Sequence, residues 1–181
     1  IPILSDLDTR EIVLRLREGG TPWGAIVKAD NEEQARKLAL QLIAKKKQGE
    51  TDWVHAVSRR SLEVRTGQKP NGPRIAMMDF GAKENIVREL CYRASVVAIF
   101  PSRATAEEIR AWNPDGIMLS NGPGDPSAVV GAPETVRSLL GWKPVFGICM
   151  GHQILSLALG AKTYKLPFGH RGSNHPVRDE L

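Results

Sequence analysis

The pattern of hydrophobic and polar residues changes near residue 73. Before that point, two segments carry apolar residues at helical spacing: one starts at Asp8 and stops at Gly19-Gly20, and the other follows Asn31, a candidate N-cap, and runs to Lys47. Between them, residues 23–27 predict a short strand. Residues 52–72 show no clear periodicity and end in a turn-rich stretch, so we place a domain boundary between residues 72 and 73.

From Arg74 onward, short apolar segments alternate with amphipathic ones. This alternation is typical of βαβ units and predicts an α/β fold with an open, doubly wound, mostly parallel sheet that helices cover on both faces. The predicted strands are 75–80, 96–100, 116–119, 145–148 and 162–166, and the predicted helices are 83–92, 105–112, 134–140 and one that starts at Gly151. Ligands of such sheets bind beyond the carboxyl ends of the strands. Asp79, residues 121–126 and Cys149 fall at those ends and should converge on one crevice.

Composition removes several classes of function. With 181 residues, 41% of them hydrophobic, the chain can bury a sizeable core, but no run approaches the roughly 18 apolar residues of a membrane helix. We therefore expect a cytoplasmic protein without a membrane partner. Two cysteines without ligand spacing predict neither a metal site nor a disulfide framework. The net charge of +5 is dispersed, and no aromatic residues interleave with it, so we expect no nucleic-acid partner.

The segment Phe-Gly-Ile-Cys-Met-Gly-His-Gln, residues 146–153, places Cys149 at a strand-to-helix corner. Gly147 and Gly151 would let the two backbones approach closely, as in a nucleophile elbow. The start of the following helix favours the thiolate, and the backbone N–H of Met150 would point to where an oxyanion forms. A small buried cysteine in a tight turn explains the five-residue pattern equally well.

Residues 147–153, together with Ser-Asn-Gly-Pro-Gly-Asp-Pro at 120–126, resemble the class I (triad) glutamine amidotransferases. Asp-Phe-Gly-Ala-Lys at 79–83 and Phe-Gly-His-Arg-Gly-Ser-Asn-His-Pro-Val at 168–177 are similar to the small-subunit family of carbamoyl-phosphate synthetases. The resemblance implies a flavodoxin-like domain that hydrolyses L-glutamine through a Cys149 thioester. It also implies a large synthetase subunit as partner, with ATP and Mg on that subunit, no cofactor in this chain, and a place in arginine and pyrimidine synthesis.

The resemblance also assigns roles to individual residues. It implies that the Gly122 and Met150 N–H groups hold the oxyanion, that Gly124 lies against the bound glutamine, and that Gln153 contacts the amino-acid portion of the substrate. Without the resemblance, residues 121–126 could be an ordinary βα loop and Gln153 a solvated helix residue. His152 is expected to be structural, because a neighbour so close in sequence points away from the thiol.

The catalytic base is not assigned. Val177 stands where His175-Pro176 would need a glutamate, and neither His170 nor His175 is taken as the base. By resemblance, the triad His and Glu lie beyond Leu181. We therefore expect a fragment with little activity of its own: residues 1–72 as the end of a smaller N-terminal domain plus linker, and 73–181 as an amidotransferase domain truncated at its C-terminus.

Two other functions remain open at this point. One is the glutaminase component of another triad amidotransferase, such as those of anthranilate or GMP synthesis. The segments Asp-Phe-Gly-Ala-Lys at 79–83 and Asp-Thr-Arg at 8–10 argue against it. The other is a subunit that docks on a synthetase without turning over glutamine.

Overall fold

The computed structural model describes residues 5–20, 22–47 and 52–166. Contacts divide the chain into two compact units, one comprising residues 1–49 with 164–181 and the other comprising residues 50–163. Residues 52–72, predicted as the end of one domain plus a linker, therefore belong to the same unit as the strands that follow them. The assignment of residues 1–72 and 73–181 to two domains of a longer protein stays a prediction.

The described part of the first unit contains two helices, α1 (Thr9–Gly19) and α2 (Glu32–Lys47). The carboxylate of Asp8 caps α1 by accepting from the Glu11 N–H at 2.8 Å, and Asn31 caps α2 by accepting from the Gln34 N–H at 2.9 Å. Both predicted helices are thus confirmed. The predicted strand at 23–27 is wrong, because a strand needs a hydrogen-bonded neighbour and no described residue pairs with this segment.

The second unit is organised around a five-stranded sheet in the order β1-β3-β2-β4-β5. All neighbours are parallel except β1, which runs antiparallel to β3 at the edge of the sheet. Met77 pairs with Ile99 on one side and Met118 on the other, so β2 is the central strand. The strands are β1 (Glu63–Thr66), β2 (Arg74–Asp79), β3 (Val96–Pro101), β4 (Gly116–Leu119) and β5 (Val145–Gly147).

Helices cover both faces of this sheet. On one face, Val87 of α4 packs with alternate strand residues such as Met77 and Ile99. On the other face, α5, α6 and α7 pack on the intervening residues, among them Met78 and Leu119. The helices of this unit are α3 (Trp53–Val57), α4 (Glu84–Cys91), α5 (Ala106–Trp112), α6 (Ala132–Leu139) and α7 (Met150–Ala158), with a 3-10 turn at Pro126–Ala128. The predicted doubly wound, mostly parallel α/β fold is confirmed.

Burial in this core explains why the parallel strands β2, β3 and β4 are mostly apolar. Met77, Met78, Ile99 and Leu119 are fully buried, although neighbours in sequence point to opposite faces. Each such side chain stabilises the fold by about 1.5–3 kcal/mol relative to an exposed one. The alternation of faces therefore produces two apolar layers, which fix the strand ends that carry the candidate site.

Other differences from the predicted elements lie at the edges of this unit. The structure has α3 and β1 where residues 52–72 gave no periodic signal. The predicted strand at 162–166 is wrong, since these residues form no regular structure. Among the described residues, no helix is both long enough and apolar enough to cross a membrane.

Candidate active site

Cys149 lies between β5 and α7, at the corner that the sequence predicts. It occupies the N-cap position of α7 with φ 53° and ψ −108°, and its thiol caps no backbone N–H. A positive φ costs a residue other than glycine about 1–3 kcal/mol, so the surrounding structure must hold this conformation in place. Cys149 is exposed and not part of a disulfide. The alternative of a small buried cysteine is therefore wrong.

Gly147 and Gly151 are required by the close approach of strand and helix. A Cβ on Gly147 would lie 2.5 Å from the Gly151 carbonyl carbon and the His152 nitrogen. A Cβ on Gly151 would come closer than 3.0 Å to the carbonyl oxygen of Leu119. Since these obstacles are backbone atoms, they cannot move aside as a flexible side chain could. The predicted steric reason for both glycines is confirmed.

Backbone hydrogen bonds attach the elbow to the end of β4. The Ile148 N–H donates to the Leu119 carbonyl at 3.0 Å, and the Gly151 N–H donates to the Ser120 carbonyl at 2.9 Å. Cys149 therefore stands beside the segment that starts at Ser120. The predicted neighbourhood of these two strand ends is observed.

Gly122 and Gly124 shape the loop that follows β4. A Cβ on Gly122 would come closer than 3.0 Å to the Phe80 carbonyl oxygen, and Gly124 has φ +85°. The Asp125 carboxylate then accepts from the Ser127 N–H at 2.9 Å at the start of the 3-10 turn. Both glycines have conformational or steric reasons, while their contacts with an oxyanion or glutamine stay predictions.

Asp79, at the end of β2, is buried and hydrogen-bonded on both oxygens. Oδ1 accepts from the Gly81 and Ala82 N–H groups at 2.9 and 2.7 Å, and Oδ2 accepts from the backbone N–H and Nη1 of Arg59 at 2.9 and 3.0 Å. Burial alone would raise the pKa of Asp79, but these donors outweigh it and lower the pKa below its ordinary value. The carboxylate thus holds the β2–α4 loop to the segment before β1.

The Asn121 side chain joins the loops that follow β2 and β4. Its Oδ1 accepts from the Lys83 N–H at 3.0 Å, and its Nδ2 donates to the Gly81 carbonyl at 3.1 Å. The Ser120 hydroxyl accepts from the Phe80 N–H at 2.9 Å. These contacts, together with those of the elbow, bring the ends of β2, β4 and β5 together as predicted. The Asn121 amide was not predicted as this connection.

Helix α3 lies beside the loop that carries Gly122 and Gly124. The sequence did not predict this helix. A Cβ on Gly124 would lie 3.4 Å from Trp53 Cδ1, and one on Gly81 would lie 2.8 Å from Val57 Cγ2. The helix begins with Asp52, whose carboxylate accepts from the His55 N–H at 2.9 Å. An aspartate directly before the apolar segment Trp53–Val57 is an N-cap signal that could have revealed this helix.

The first turn of α7 carries the remaining predicted residues. Met150 has a buried side chain, and the N–H groups at the start of a helix lack intrahelical partners, while a contact of its N–H with an oxyanion stays a prediction. Gln153 is exposed, and its N–H donates to the Cys149 carbonyl at 3.0 Å, one turn after the thiol. His152 is exposed as well. His170 and His175 lie outside the described residues.

Among the described residues, no group of three or more His, Cys, Asp or Glu side chains is arranged to hold a metal ion.

Comparison with known proteins supports the resemblance found in the motifs. The family model "Glutamine amidotransferase class-I" matches residues 76–181. The chain is 48% identical over 181 residues to the carbamoyl phosphate synthase small chain of Bacillus caldolyticus, covering 99% of this chain and 47% of that protein. It is 46% identical over 182 residues to the protein of the same name from Symbiobacterium thermophilum, covering 99% of this chain and 50% of that protein.

A third relative, the carbamoyl phosphate synthase small chain of Listeria innocua, is 44% identical over 181 residues, which cover 99% of this chain and 47% of that protein. The chain thus spans about half the length of the curated relatives it matches. The matched residues 76–181 include most of β2, all of β4 and the Cys149 elbow, so the family similarity and the site geometry concern the same region. The chain belongs to the class I glutamine amidotransferase family.

Proposed function

We propose that the protein containing this chain hydrolyses glutamine and supplies the ammonia to a carbamoyl-phosphate synthetase. The observation that carries this proposal is the backbone of Cys149: an exposed cysteine at φ 53°, held before α7 by two glycines that admit no Cβ. Strained conformations persist where the surrounding structure enforces them, and they are concentrated at functional sites. A subunit that only docks on a partner would have no use for this strain.

The proposed reaction has two steps. The Cys149 thiolate attacks the side-chain amide carbon of glutamine, and a C–S bond forms as the amide oxygen takes up negative charge. The C–N bond then breaks, the nitrogen is protonated and leaves as ammonia, and a γ-glutamyl thioester remains. Water cleaves the thioester, which releases glutamate and restores the thiol. The sum is glutamine plus water to glutamate plus ammonia.

The oxyanion of the first step needs two fixed donors. The Met150 N–H at the start of α7 and the Gly122 N–H in the loop after β4 are the proposed pair, because Gly151 and Ser120 join these two segments by a backbone hydrogen bond of 2.9 Å. Gly124 and Gln153 are proposed to contact the substrate. Both are exposed, and Gln153 lies one helical turn after Cys149.

The ammonia is proposed to be used by a large synthetase subunit. Support comes from the relatives, which are named as small chains of carbamoyl phosphate synthase. ATP and Mg belong to the large subunit in this proposal, and the hydrolysis itself needs no cofactor. A role in arginine and pyrimidine synthesis and a cytoplasmic location are part of the same proposal.

Cysteine substitutions in the full-length protein that contains this chain test the glutaminase function. Glutamate release from glutamine should fall by at least about 1,000-fold in Cys149→Ala, since removing a nucleophile eliminates the covalent route. Cys91→Ala, the matched control at the end of α4, should stay within about twofold of the unchanged protein. Substantial glutamate release from a folded Cys149→Ala variant would overturn the proposal.

A further inference from the structure

The loop that carries Gly122 is attached to a neighbouring loop by side chains rather than by sheet pairing. Two of the bonds come from Asn121: the Lys83 N–H donates to Oδ1 at 3.0 Å, and Nδ2 donates to the Gly81 carbonyl at 3.1 Å. In the preceding residue, the Ser120 hydroxyl accepts from the Phe80 N–H at 2.9 Å. The backbone on both sides of Gly81 is therefore bound to residues 120 and 121.

The β2–α4 loop, to which Asn121 binds, is itself held in place. The Asp79 carboxylate, 2% exposed, holds the N–H groups of Gly81 and Ala82 through Oδ1 and holds Arg59 through Oδ2. Arg59 also forms an ion pair with Glu63, which connects Asp79 and Arg59 to β1 of the sheet. Asn121 thus connects the loop after β4 to the β2–α4 loop, which Asp79 and Arg59 hold to the sheet.

Gly122 has little freedom between these contacts. On one side, its Cα faces the Phe80 carbonyl oxygen so closely that a Cβ would not fit. On the other side, the preceding residue is held by both polar atoms of its side chain. The direction of the peptide N–H between residues 121 and 122 is therefore set by Phe80 and by the Asn121 amide together.

We infer that Asn121 is a positioning residue for glutamine hydrolysis: its amide fixes the peptide between residues 121 and 122 so that the Gly122 N–H can hold the oxyanion. The inference rests on the proposed function and adds a residue to it. An oxyanion donor acts only when it lies about 2.7–3.1 Å from the charged oxygen, and a misplacement of about 1 Å can lower a rate by about 100-fold. The Asn121 amide makes two of the three side-chain bonds between the two loops, so its loss should free the peptide next to Gly122.

Substitutions of Asn121 in the full-length protein separate this role from general support. Asn121→Ala removes both bonds, and kcat for glutamate release should fall by about 10- to 100-fold with KM changed by less than about threefold, because the oxyanion exists only in the transition state. Asn121→Asp keeps the acceptor for Lys83 but cannot donate to Gly81 when ionised. Its kcat should therefore be low at neutral pH and recover relative to the unchanged protein as the carboxyl is protonated.

Asn85→Ala is the matched control. Asn85 lies exposed on α4, where its amide oxygen accepts from Arg88 of the same helix and, among the described residues, no bond from it to another loop is found. Its kcat should stay within about twofold of the unchanged protein. The rate of Cys149 alkylation by iodoacetamide, which needs the presented thiolate but no oxyanion donor, should also stay within about twofold in Asn121→Ala.

Each outcome decides between the two proposals. If the unchanged protein hydrolyses glutamine through Cys149 and Asn121→Ala keeps its kcat, the positioning role is wrong and the glutaminase function stands. If kcat and iodoacetamide alkylation fall together in Asn121→Ala, Asn121 supports the whole elbow, and the specific role is also wrong. If the unchanged protein releases no glutamate, the proposed function itself fails.

Discussion

The two cysteines of this chain stand at opposite ends of helices. Cys149 precedes α7, with a positive φ and an exposed thiol, whereas Cys91 is the last residue of α4 and half-buried. A helix start stabilises negative charge and a helix end disfavours it. Burial raises the pKa of the Cys91 thiol, with Arg65 opposing and Glu84 adding to the shift. The same residue type is thus exposed at a helix start in one place and packed at a helix end in the other.

The Cys149 elbow and the β2–α4 loop also differ in the contacts that hold them in place. The elbow is held by close backbone packing at Gly147 and Gly151. Backbone hydrogen bonds to Leu119 and Ser120 add to this packing. The loop that begins α4 is fixed by an ionised side chain, that of Asp79. A steric change should therefore damage the Cys149 elbow, and acid should weaken the attachment of the β2–α4 loop.

Gly151→Ala should have the largest effect on stability. The added methyl group would meet the Leu119 carbonyl, and a backbone obstacle leaves only displacement of α7 from β4. Overpacking of a fixed core costs about 1–3 kcal/mol and occasionally more, and we expect about 3 kcal/mol here, measured as the free energy of unfolding in denaturant.

Gly116→Ala is the matched control in β4. A Cβ there would make an ordinary contact of 3.5 Å with Ile75 Cδ1, so the loss should stay below about 1 kcal/mol. Equal losses in the two variants would show that close approach at the elbow is not what makes Gly151 necessary.

Asp79→Asn should have an intermediate effect that depends on pH. Hydrogen bonds to a charged group stabilise by about 1.5–3 kcal/mol, so we expect a loss of about 2 kcal/mol at neutral pH. Because the pKa of Asp79 is lowered in the folded protein, its stabilisation is present above the ordinary value of 3.8 and is lost as pH falls through the lower folded value. The difference between variant and unchanged protein should therefore shrink below about pH 4.

Denaturant unfolding at a series of pH values between about 3 and 7 measures this dependence. Asp115→Asn serves as the control for removing an exposed carboxylate at the opposite end of the sheet, where Oδ2 accepts from the Arg74 N–H at 2.8 Å. An Asp79→Asn variant whose stability loss is the same at every pH would show that the ionised form does not hold the β2–α4 loop.

Alkylation of the two thiols should show the smallest difference in free energy. Iodoacetamide reacts with thiolate, and Cys149 is exposed while Cys91 is half-buried with a raised pKa. We expect Cys149 to react at least about 10-fold faster, a difference of about 1.4 kcal/mol, when peptide masses are followed over time at neutral pH. Equal rates would remove the distinction between a presented and a packed cysteine.

The sequence predicted those parts of the fold whose signal is local. Four parallel strands and the helices between them follow from short apolar segments, and those of β2, β3 and β4 are mostly buried. The short strand β1 was missed because its four residues alternate between half-buried and exposed at a sheet edge and carry little apolar signal. The predicted strands at 23–27 and 162–166 failed for the converse reason: apolar composition alone does not supply a pairing partner.

The candidate site likewise contains features that a local pattern predicts and features that it does not. Cys149 and its flanking glycines are adjacent in sequence, so a five-residue pattern could predict the corner and its close packing. The contacts that hold the neighbouring loops join residues far apart: Asn121 meets Lys83 across 38 positions, and Asp79 meets Arg59 across 20. No local pattern shows such pairs, and they required the folded arrangement of β2 and β4.

The most direct test of the central claim is covalent labelling of the full-length protein by a glutamine analogue that carries a chloroketone in place of the side-chain amide. Peptide mass analysis should find one adduct, on Cys149, with Cys91 unmodified, and added glutamine should slow its formation. Labelling of Cys91 instead, or labelling of Cys149 that glutamine does not slow, would contradict the account of Cys149 as a nucleophile presented to glutamine.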